Sequence, residues 1–367
     1  MHDPAERLAR LVEAGLDGRL SRRDLIARGL ALGLTLPAVN AALAACGLQP
    51  PDGEAPPLSR WQPPAPPTSA PLQGQQVPAQ QSPQAAGPAG APPGGAPHGA
   101  PAGVRCAVIG DYGLAGEPAA AVAAMVAAWN PDFVVTTGDN NYPDGRAETI
   151  DANVGQYYHQ FIAPYRGACG PGAAENRFWP VLGNHDWVVG YPEPYLAYFS
   201  LPGNGRYYSV TRGPLQLFAL DSMPDEPDGV DSGSPQAAWL QATLSTSTAR
   251  WKVVVLHHSP YSSGYHGSAT WMRWPFAAWG AQLVLGGHDH TYERITREGM
   301  TYIVNGLGGG ARYARGFNAV EGSQVFFNAD HGALLVEADG QQLQARFVSR
   351  SDQVVDRFSL VSPAPPG

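Results

Sequence analysis

The chain has 367 residues, of which about a fifth are Gly (44) or Pro (36) and only 15% are charged. These values are unusual for a compact domain, so part of the chain is not expected to pack. The formal net charge of −8 argues against a basic nucleic-acid-binding surface, and we expect no nucleic-acid partner. The sequence lacks the recurring apolar stretches of about 20 residues that mark multispan membrane proteins.

Residues 1–46 resemble an export signal. Arg22 and Arg23 directly precede an apolar segment of moderate length, which is typical of a twin-arginine signal. The segment ends in Leu-Ala-Ala-Cys46, which resembles a lipobox and implies cleavage before Cys46 and lipidation of its thiol. A signal-peptidase site in the same stretch and an uncleaved anchor are the alternatives. We expect an extracytoplasmic protein, in the periplasm or at the cell surface, that associates with a membrane through lipid-anchored Cys46.

Residues 47–103 form a predicted disordered linker, because they hold 16 of the 36 prolines and only three charged residues. Such a segment cannot bury enough apolar area to offset its ordering entropy. Residues 104–361 form the predicted globular domain, and residues 362–367 a short tail. The domain carries 16 basic and 24 acidic residues, so it accounts for the whole net charge.

The predicted elements of the domain alternate between strands and helices in its first half and are mostly strands in its second half. The predicted strands are 104–109, 133–137, 178–182, 207–210, 215–220, 251–256, 282–285, 295–304, 332–338, 342–349 and 354–360. The predicted helices are 117–129, 154–165, 236–244 and 270–279. This order predicts an α/β (α+β) fold in which two sheets are covered by helices.

Five apolar strands are each followed by residues that can bind a metal. These residues are Asp111, Asp139, Asn184 to Asp186, His257 with His258, and His288 to His290. In an open α/β sheet, ligands bind beyond the carboxyl ends of the strands, so these side chains are expected to converge. A mixture of carboxylate, amide and imidazole groups suits Fe, Mn or Zn. The set is too large for one tetrahedral ion, and two ions would need a bridging carboxylate.

The blocks GD, GDN, GNHD, H and GHxH, in this order, resemble the calcineurin-like metallophosphoesterases. Two details resemble the purple acid phosphatases in particular. The first block reads Asp111-Tyr112-Gly113 and lacks the usual His, whereas Tyr142 follows Asp139 by three residues. In that subgroup, a tyrosine phenolate replaces the lost histidine and binds ferric iron. The resemblance implies a four-layer αββα sandwich of two mixed β-sheets flanked by helices.

The resemblance also implies the roles of individual residues. The first metal, expected to be Fe(III), would be bound by Asp111, Tyr142 and His290. The second, Fe(II), Zn or Mn, would be bound by Asn184, His258 and His288, with Asp139 bridging the two. We expect His258 to be the ligand because it precedes Ser-Pro, and strand alternation then turns His257 to the opposite face.

A centre of two cations lowers the pKa of bound water and stabilises charge on a phosphoryl group. The predicted function is therefore phosphomonoester hydrolysis, as in an acid phosphatase, with a metal-bound hydroxide attacking phosphorus in line. His185 is expected to donate a proton to the leaving group, oriented by Asp186. His266 is expected to contact the phosphate, as are Asn184 and His185. The 306–310 segment, GLGGG, is expected to be a tight turn beside the site.

The predicted substrate is a small phosphorylated molecule. A phosphodiesterase on the same metal core is one alternative, and a non-catalytic metal-binding surface protein is the other. The sequence also leaves open whether Cys106 and Cys169 pair.

Overall fold

The computed structural model describes residues 103–316 and 319–361. The predicted signal segment 1–46 and the tail 362–367 lie outside these residues, as does all of the linker except Gly103. The predictions for Arg22, Arg23 and Cys46 therefore stay predictions. None of the helices in the described ranges has both the length and the apolar composition needed to cross a bilayer.

Thirteen strands of the described residues form two mixed sheets. The first has the order β13-β12-β11-β1-β2-β3, and the second has the order β10-β8-β9-β7-β6-β5-β4. The strands are β1 (Val104–Ile109), β2 (Phe133–Thr136), β3 (Phe178–Trp179), β4 (Tyr208–Arg212), β5 (Leu215–Ala219), β6 (Trp251–His258), β7 (Leu283–Gly287), β8 (Tyr292–Arg297), β9 (Met300–Asn305), β10 (Ser323–Phe327), β11 (Gly332–Ala338), β12 (Gln342–Ser349) and β13 (Val354–Val361).

The helices lie mainly between the strands of the first half of the domain. They are α1 (Glu117–Ala128), α2 (Ala147–Ile150), α3 (Gln156–Tyr158), α4 (Glu193–Tyr198) and α5 (Pro235–Thr246). A π-helical segment, Asp151–Gly155, joins α2 to α3, and short 3₁₀ segments cover His159–Phe161, Asn184–Trp187 and Thr270–Met272.

Three apolar cores separate four layers, which confirms the predicted αββα sandwich. Cys106 and Val108 of β1 point into the core between the two sheets, where they meet residues such as Val253 of β6. The alternate residues Ala107 and Ile109 point to the opposite face, as the period of two requires, and join a second core with α1. A third core lies between the second sheet and α5.

The parallel strands of both sheets place the loops that carry the predicted ligands. Strands β1, β2 and β3 are parallel neighbours in the first sheet, and β5, β6, β7 and β9 are parallel neighbours in the second. The two groups are joined near their carboxyl ends, because Asn305 Nδ2 donates to Val108 O at 3.0 Å and Thr137 Oγ1 donates to Asn305 O at 3.1 Å. The loops after both groups therefore share one edge.

Two helix predictions differ from the structure. The predicted helix 270–279 is only the 3₁₀ segment Thr270–Met272, because Pro275 disfavours helical conformation in the residue before it and has no N–H to donate. The predicted helix 154–165 begins earlier, at Ala147, and its last 3₁₀ turn ends at Phe161. Strand β10 was not predicted.

Candidate metal centre

Three of the predicted ligands sit directly beyond parallel strands in a strained backbone conformation. The φ angles are 53° at Asp111, 55° at Asp139 and 71° at His288. Left-handed conformations are uncommon for residues other than Gly, because they cost free energy and persist only where the surrounding structure holds them. They are concentrated at functional sites. The same sharp turn after β1, β2 and β7 therefore brings three separate loops to one point.

The first ligand group contains Asp111, Asp139 and His290, whose ligand atoms lie within 4.8 Å of one another. Tyr142, also a predicted ligand, lies beside this group. Its hydroxyl donates to Asp139 Oδ2 at 2.8 Å and lies 3.0 Å from His290 Nε2 and 3.5 Å from Asp111 Oδ1. Two carboxylates, a phenol and an imidazole thus surround one small volume.

The charges of this group fit a cation. Asp111 and Asp139 are buried, and no lysine or arginine within residues 103–316 and 319–361 forms an ion pair with either. Burial raises the pKa of the Tyr142 phenol well above 10, and the charges of the two carboxylates raise it further. A phenolate at this position would therefore require a strongly charged cation beside it.

The second ligand group contains His257, His258 and His288, and it is built around the imidazole of His257. Its Nε2 lies 3.0 Å from Asn184 Oδ1, 3.2 Å from His288 Nδ1 and 3.5 Å from Asp139 Oδ1. Its Nδ1 is fixed by the carbonyl oxygen of Thr137 at 2.8 Å. Burial lowers the pKa of His288 well below 6.5, and the neighbouring histidines lower it further. A neutral imidazole is the form that binds a metal.

Asp139 lies between the two groups, as expected for a bridging carboxylate. Its Oδ2 accepts from Tyr142 in the first group, and its Oδ1 faces His257 in the second. Burial alone would raise the pKa of Asp139, but the charges of His257 and His185 lower it well below its ordinary value. The carboxylate is therefore ionised and offers one oxygen to each group.

The structure corrects the expectation that His257 points away from the cluster. The pairing of β6 with β7 advances three residues on β6, from Val255 to His258, but only two on β7, from Leu285 to Gly287. This β-bulge breaks the alternation on which the expectation rested, since a bulge changes the direction in which side chains point. Both histidines consequently lie on the side of the site.

His258, the predicted ligand, remains in the second group together with His257 and His288. Its ring lies 4.4 Å from that of His288. Its Nδ1 lies 2.9 Å from Ser222 Oγ, and Ser222 Oγ also accepts the backbone N–H of His258 at 2.9 Å. Ser222 therefore fixes both the ring and the backbone of His258, whereas His257 faces Asn184 and Asp139.

His185 reaches the site from the 3₁₀ segment after β3. Its Nδ1 lies 2.6 Å from Pro143 O, so Nδ1–H donates to this carbonyl and Nε2 is directed towards Asp139, 3.9 Å from Oδ2. Asp186 does not orient the ring, contrary to expectation. Its Oδ2 instead accepts from the backbone N–H groups of Gly183 and Asn140, and burial with the charge of Asp139 raises its pKa to about 7.

His266 is brought to the site although it is distant from the strand ends. Its ring stacks on that of His288, with centroids 4.3 Å apart and planes 29° apart. This position, beside a ligand of the second group and half-buried, is compatible with contact to a bound phosphate. The contact itself stays a prediction.

The glycine segment 306–310 packs directly against the first group. The Gly310 N–H donates to Asp111 O at 2.8 Å. A Cβ on Gly306 would lie 2.2 Å from Asp289 O and 2.7 Å from Asp111 Oδ2, so only glycine permits this approach. The segment is a tight turn beside the site, as expected.

Sequence reasoning considered His257 but turned it away from the site, and it missed the contacts that Ser222 and Tyr313 make there. The ring of Tyr313 stacks on that of His290, with centroids 4.0 Å apart and planes 8° apart. Of these three, His257 alone carried a signal in the sequence, because it directly follows the predicted strand 251–256. Cys106 is buried and Cys169 is exposed, and both are free thiols.

Residues 104–292 match the family model described as calcineurin-like phosphoesterase. The chain belongs to this family. Purple acid phosphatase 17 of Arabidopsis thaliana is 28% identical over 206 residues, covering 48% of this chain and 58% of the relative. Purple acid phosphatase 4 of the same plant is 25% identical over 286 residues, covering 68% of this chain and 81% of that relative. Tartrate-resistant acid phosphatase type 5 of Rattus norvegicus is 27% identical over 249 residues, covering 57% and 74%.

Two solved structures share the fold at 18% identity, each covering 71% of this chain. The purple acid phosphatase PPD1 from yellow lupin seeds has a TM-score of 0.59, with 54% of its own chain covered. GAP50, described as the anchor in the inner membrane complex of Plasmodium, has a TM-score of 0.56, with 90% covered. Together with the family, the relatives confirm the identification as a metallophosphoesterase most similar to the purple acid phosphatases. The chain spans little more than half the length of purple acid phosphatase 17.

Proposed function

We propose that this metallophosphoesterase is a binuclear phosphomonoesterase. The observation that carries the proposal is the position of Asp139, whose two oxygens face two separate ligand groups, one of them with the Tyr142 hydroxyl at 2.8 Å. Two adjacent cations in these groups would supply charge stabilisation for a phosphoryl group and would lower the pKa of a water molecule.

The donor atoms differ between the two groups, and so do the metals we assign to them. Asp111, Tyr142 and His290, with the bridging Asp139, would hold Fe(III), because hard anionic oxygens favour a highly charged ion. Asn184, His257 and His288 would hold Fe(II), Zn or Mn. His257 replaces the predicted His258 in this assignment, because its Nε2 faces both Asn184 and His288 within 3.2 Å.

The remaining residues act on the substrate. His185 would hold a proton at Nε2, the nitrogen left available by its bond to Pro143 O, and would donate it to the departing alkoxide. Asn184 and His266 would contact the phosphoryl oxygens from the side of the second group. These roles require a small phosphate ester whose leaving oxygen approaches His185.

The full chain, purified with iron and zinc, tests the proposal when kcat/KM is compared for p-nitrophenyl phosphate and bis-p-nitrophenyl phosphate between mildly acidic and neutral pH. We expect a large preference for the monoester. In the matched variant Asp139→Asn, loss of the bridging charge should lower kcat/KM by at least about 1000-fold. A preference for the diester would instead support a phosphodiesterase, and a wild type inactive on both esters would support a non-catalytic metal-binding protein.

A further inference from the structure

The loop 262–267, which carries His266, is attached to the buried carboxylate of Asp289. The hydroxyl of Ser262 donates to Asp289 Oδ2 at 2.5 Å, and the backbone N–H of Gly267 donates to the same oxygen at 3.2 Å. The backbone N–H of His266 donates to Asp289 Oδ1 at 2.7 Å. Both oxygens of one carboxylate therefore hold both ends of a short loop.

The loop also passes very close to this carboxylate. A Cβ on Gly264 would lie 2.3 Å from Asp289 Cγ, so the backbone at this position lies directly against the carboxyl group. Ser262 Oγ in turn accepts the N–H of Gly264 at 2.9 Å, so its own proton is free to point at Asp289. Each donor around Asp289 thus has a defined acceptor, which fixes the loop's conformation.

A second buried acid holds the same loop at a different point. Glu293 Oε2 accepts the backbone N–H of Ser263 at 2.7 Å, and its Oε1 accepts the Ser263 hydroxyl at 2.6 Å. These bonds fix the beginning of the loop but do not reach His266. Asp289, by contrast, accepts the backbone N–H of the histidine itself.

Asp289 lies between His288 and His290 in sequence, but its side chain has a different partner. Both histidines enter the ligand groups, whereas the carboxylate of Asp289 is bonded to the loop. The ring of His266 then stacks on His288 at 4.3 Å. Two adjacent residues of one turn therefore have different tasks. His288 is a candidate metal ligand, and Asp289 holds the backbone of His266, whose ring stacks on His288.

We propose that Asp289 is the positioning residue for His266, holding its imidazole beside the second metal so that it meets the phosphoryl group. This inference rests on the proposed function, because it assumes that His266 contacts substrate. Asp289 would affect the rate through the position of the His266 ring. A displacement of about 1 Å in a substrate-binding group can lower the rate about 100-fold.

The test is a double-mutant cycle on the full metal-loaded chain. We expect Asp289→Asn and His266→Ala each to lower kcat/KM for p-nitrophenyl phosphate by about 10- to 100-fold. The double variant should be little worse than the more affected single variant, because both changes remove the same interaction. Ser263→Ala is the matched control in the same loop: its effect should be under about 3-fold and should multiply with that of His266→Ala.

Two further readouts separate positioning from damage to the metal centre. Metal content should equal that of the wild type in Asp289→Asn, and hydrogen exchange of peptides covering 262–267 should become faster in Asp289→Asn but not in His266→Ala. If Asp289→Asn fails to fold, Ser262→Ala tests the same attachment through the loss of one bond, with faster exchange again expected.

Multiplicative losses in the cycle, or lost metal with unchanged exchange, would overturn the proposal, since Asp289 would then act through His288 and His290. The exchange readout does not depend on turnover. An inactive wild type with faster exchange in Asp289→Asn would therefore reject the proposed function while retaining the attachment of the loop to Asp289.

Discussion

Two regions of the domain compensate buried carboxylates in different ways. Between β13 and β8, Asp356 pairs with Arg294 through bonds of 2.7 and 3.1 Å. At the metal centre, the ion-pair partners of Asp111 and Asp139 are histidines at 3.3 to 3.9 Å.

The difference indicates what stabilises the buried charge in each region. Burial of an unpaired charge is costly, and an arginine with good hydrogen-bond geometry compensates for it within the chain. The carboxylates of the metal centre lack such an arginine among the described residues, and the proposed cations would complete their compensation. Folding alone would then stabilise the buried charge in one region, and metal binding would do so in the other.

The largest expected effect that tests this contrast is stabilisation by metal. A ligand that binds only the folded state adds RT ln(1 + [L]/Kd) for each site. Iron and zinc at 100 to 1000 times their Kd should therefore each raise the free energy of unfolding by about 3 to 4 kcal/mol, and together by about 5 to 8 kcal/mol. Asp139→Asn should lose most of this gain. Urea unfolding measured with a chelator and then with both metals gives the two values for each protein.

Tyr142→Phe provides the control for metal identity in this experiment. The iron-loaded wild type should be coloured by charge transfer from the Tyr142 phenolate, and Tyr142→Phe should lose that visible absorption while keeping part of the stabilisation. A wild type that gains no stability from either metal would contradict the assignment of two cation sites. A wild type that is stabilised but colourless would contradict only the assignment of Fe(III) to the first site.

A smaller effect distinguishes the two adjacent histidines within the metal centre. His257→Ala should weaken binding of the second metal by at least about 100-fold, because its Nε2 faces Asn184 and His288. His258→Ala should weaken it by about 10-fold, as removal of a residue that supports a ligand does. Titration of zinc into iron-loaded protein measures both. The reverse order would restore His258 as the ligand.

The structure brings together those predicted ligands whose prediction depended on strand ends. Asp111, Asp139 and His288 follow apolar strands, and parallel pairing brings such ends together without further information. Tyr142 was predicted from the resemblance and lies 2.8 Å from Asp139. Spacing along the chain was sufficient for these residues because one turn separates each from its strand.

The choice between His257 and His258 could not be made from the sequence. The β-bulge in β6 is produced by pairing with β7, and nothing in a run of apolar residues marks where one strand advances by an extra residue. Tyr313 shows the same limit, because its contact with His290 arises only when a distant loop folds back. Likewise, Pro275 lies inside the predicted helix 270–279, but the sequence does not tell how much helix it leaves, and the structure retains only the 3₁₀ segment Thr270–Met272.

The smallest expected effect concerns the Asp356–Arg294 pair, which needs no metal. Asp356→Asn removes the charge that accepts from Arg294 and from the Tyr292 hydroxyl, which lies 2.7 Å from Oδ2. Because Asp356 is in the first sheet and both partners are in the second, these bonds join the sheets. At pH 7 the change should lower the free energy of unfolding by about 1.5 to 3 kcal/mol in metal-free protein.

The pH dependence gives this prediction its sign. Burial alone would raise the pKa of Asp356, but the bonds from Arg294 and Tyr292 lower it below its ordinary value. A carboxylate with a lowered pKa stabilises the fold above its unfolded-state pKa of about 4, and this stabilisation is lost as the pH falls through the folded-state value. The difference in unfolding free energy between wild type and Asp356→Asn should therefore shrink below about pH 4.

Glu175→Gln, at an exposed position, is the control because it also removes one carboxylate charge. It should change the unfolding free energy by less than about 0.5 kcal/mol both at pH 7 and below pH 4. If Asp356→Asn were equally harmless, Arg294 would not be what compensates the buried carboxylate of Asp356. The contrast between this pair and the metal centre would then be wrong.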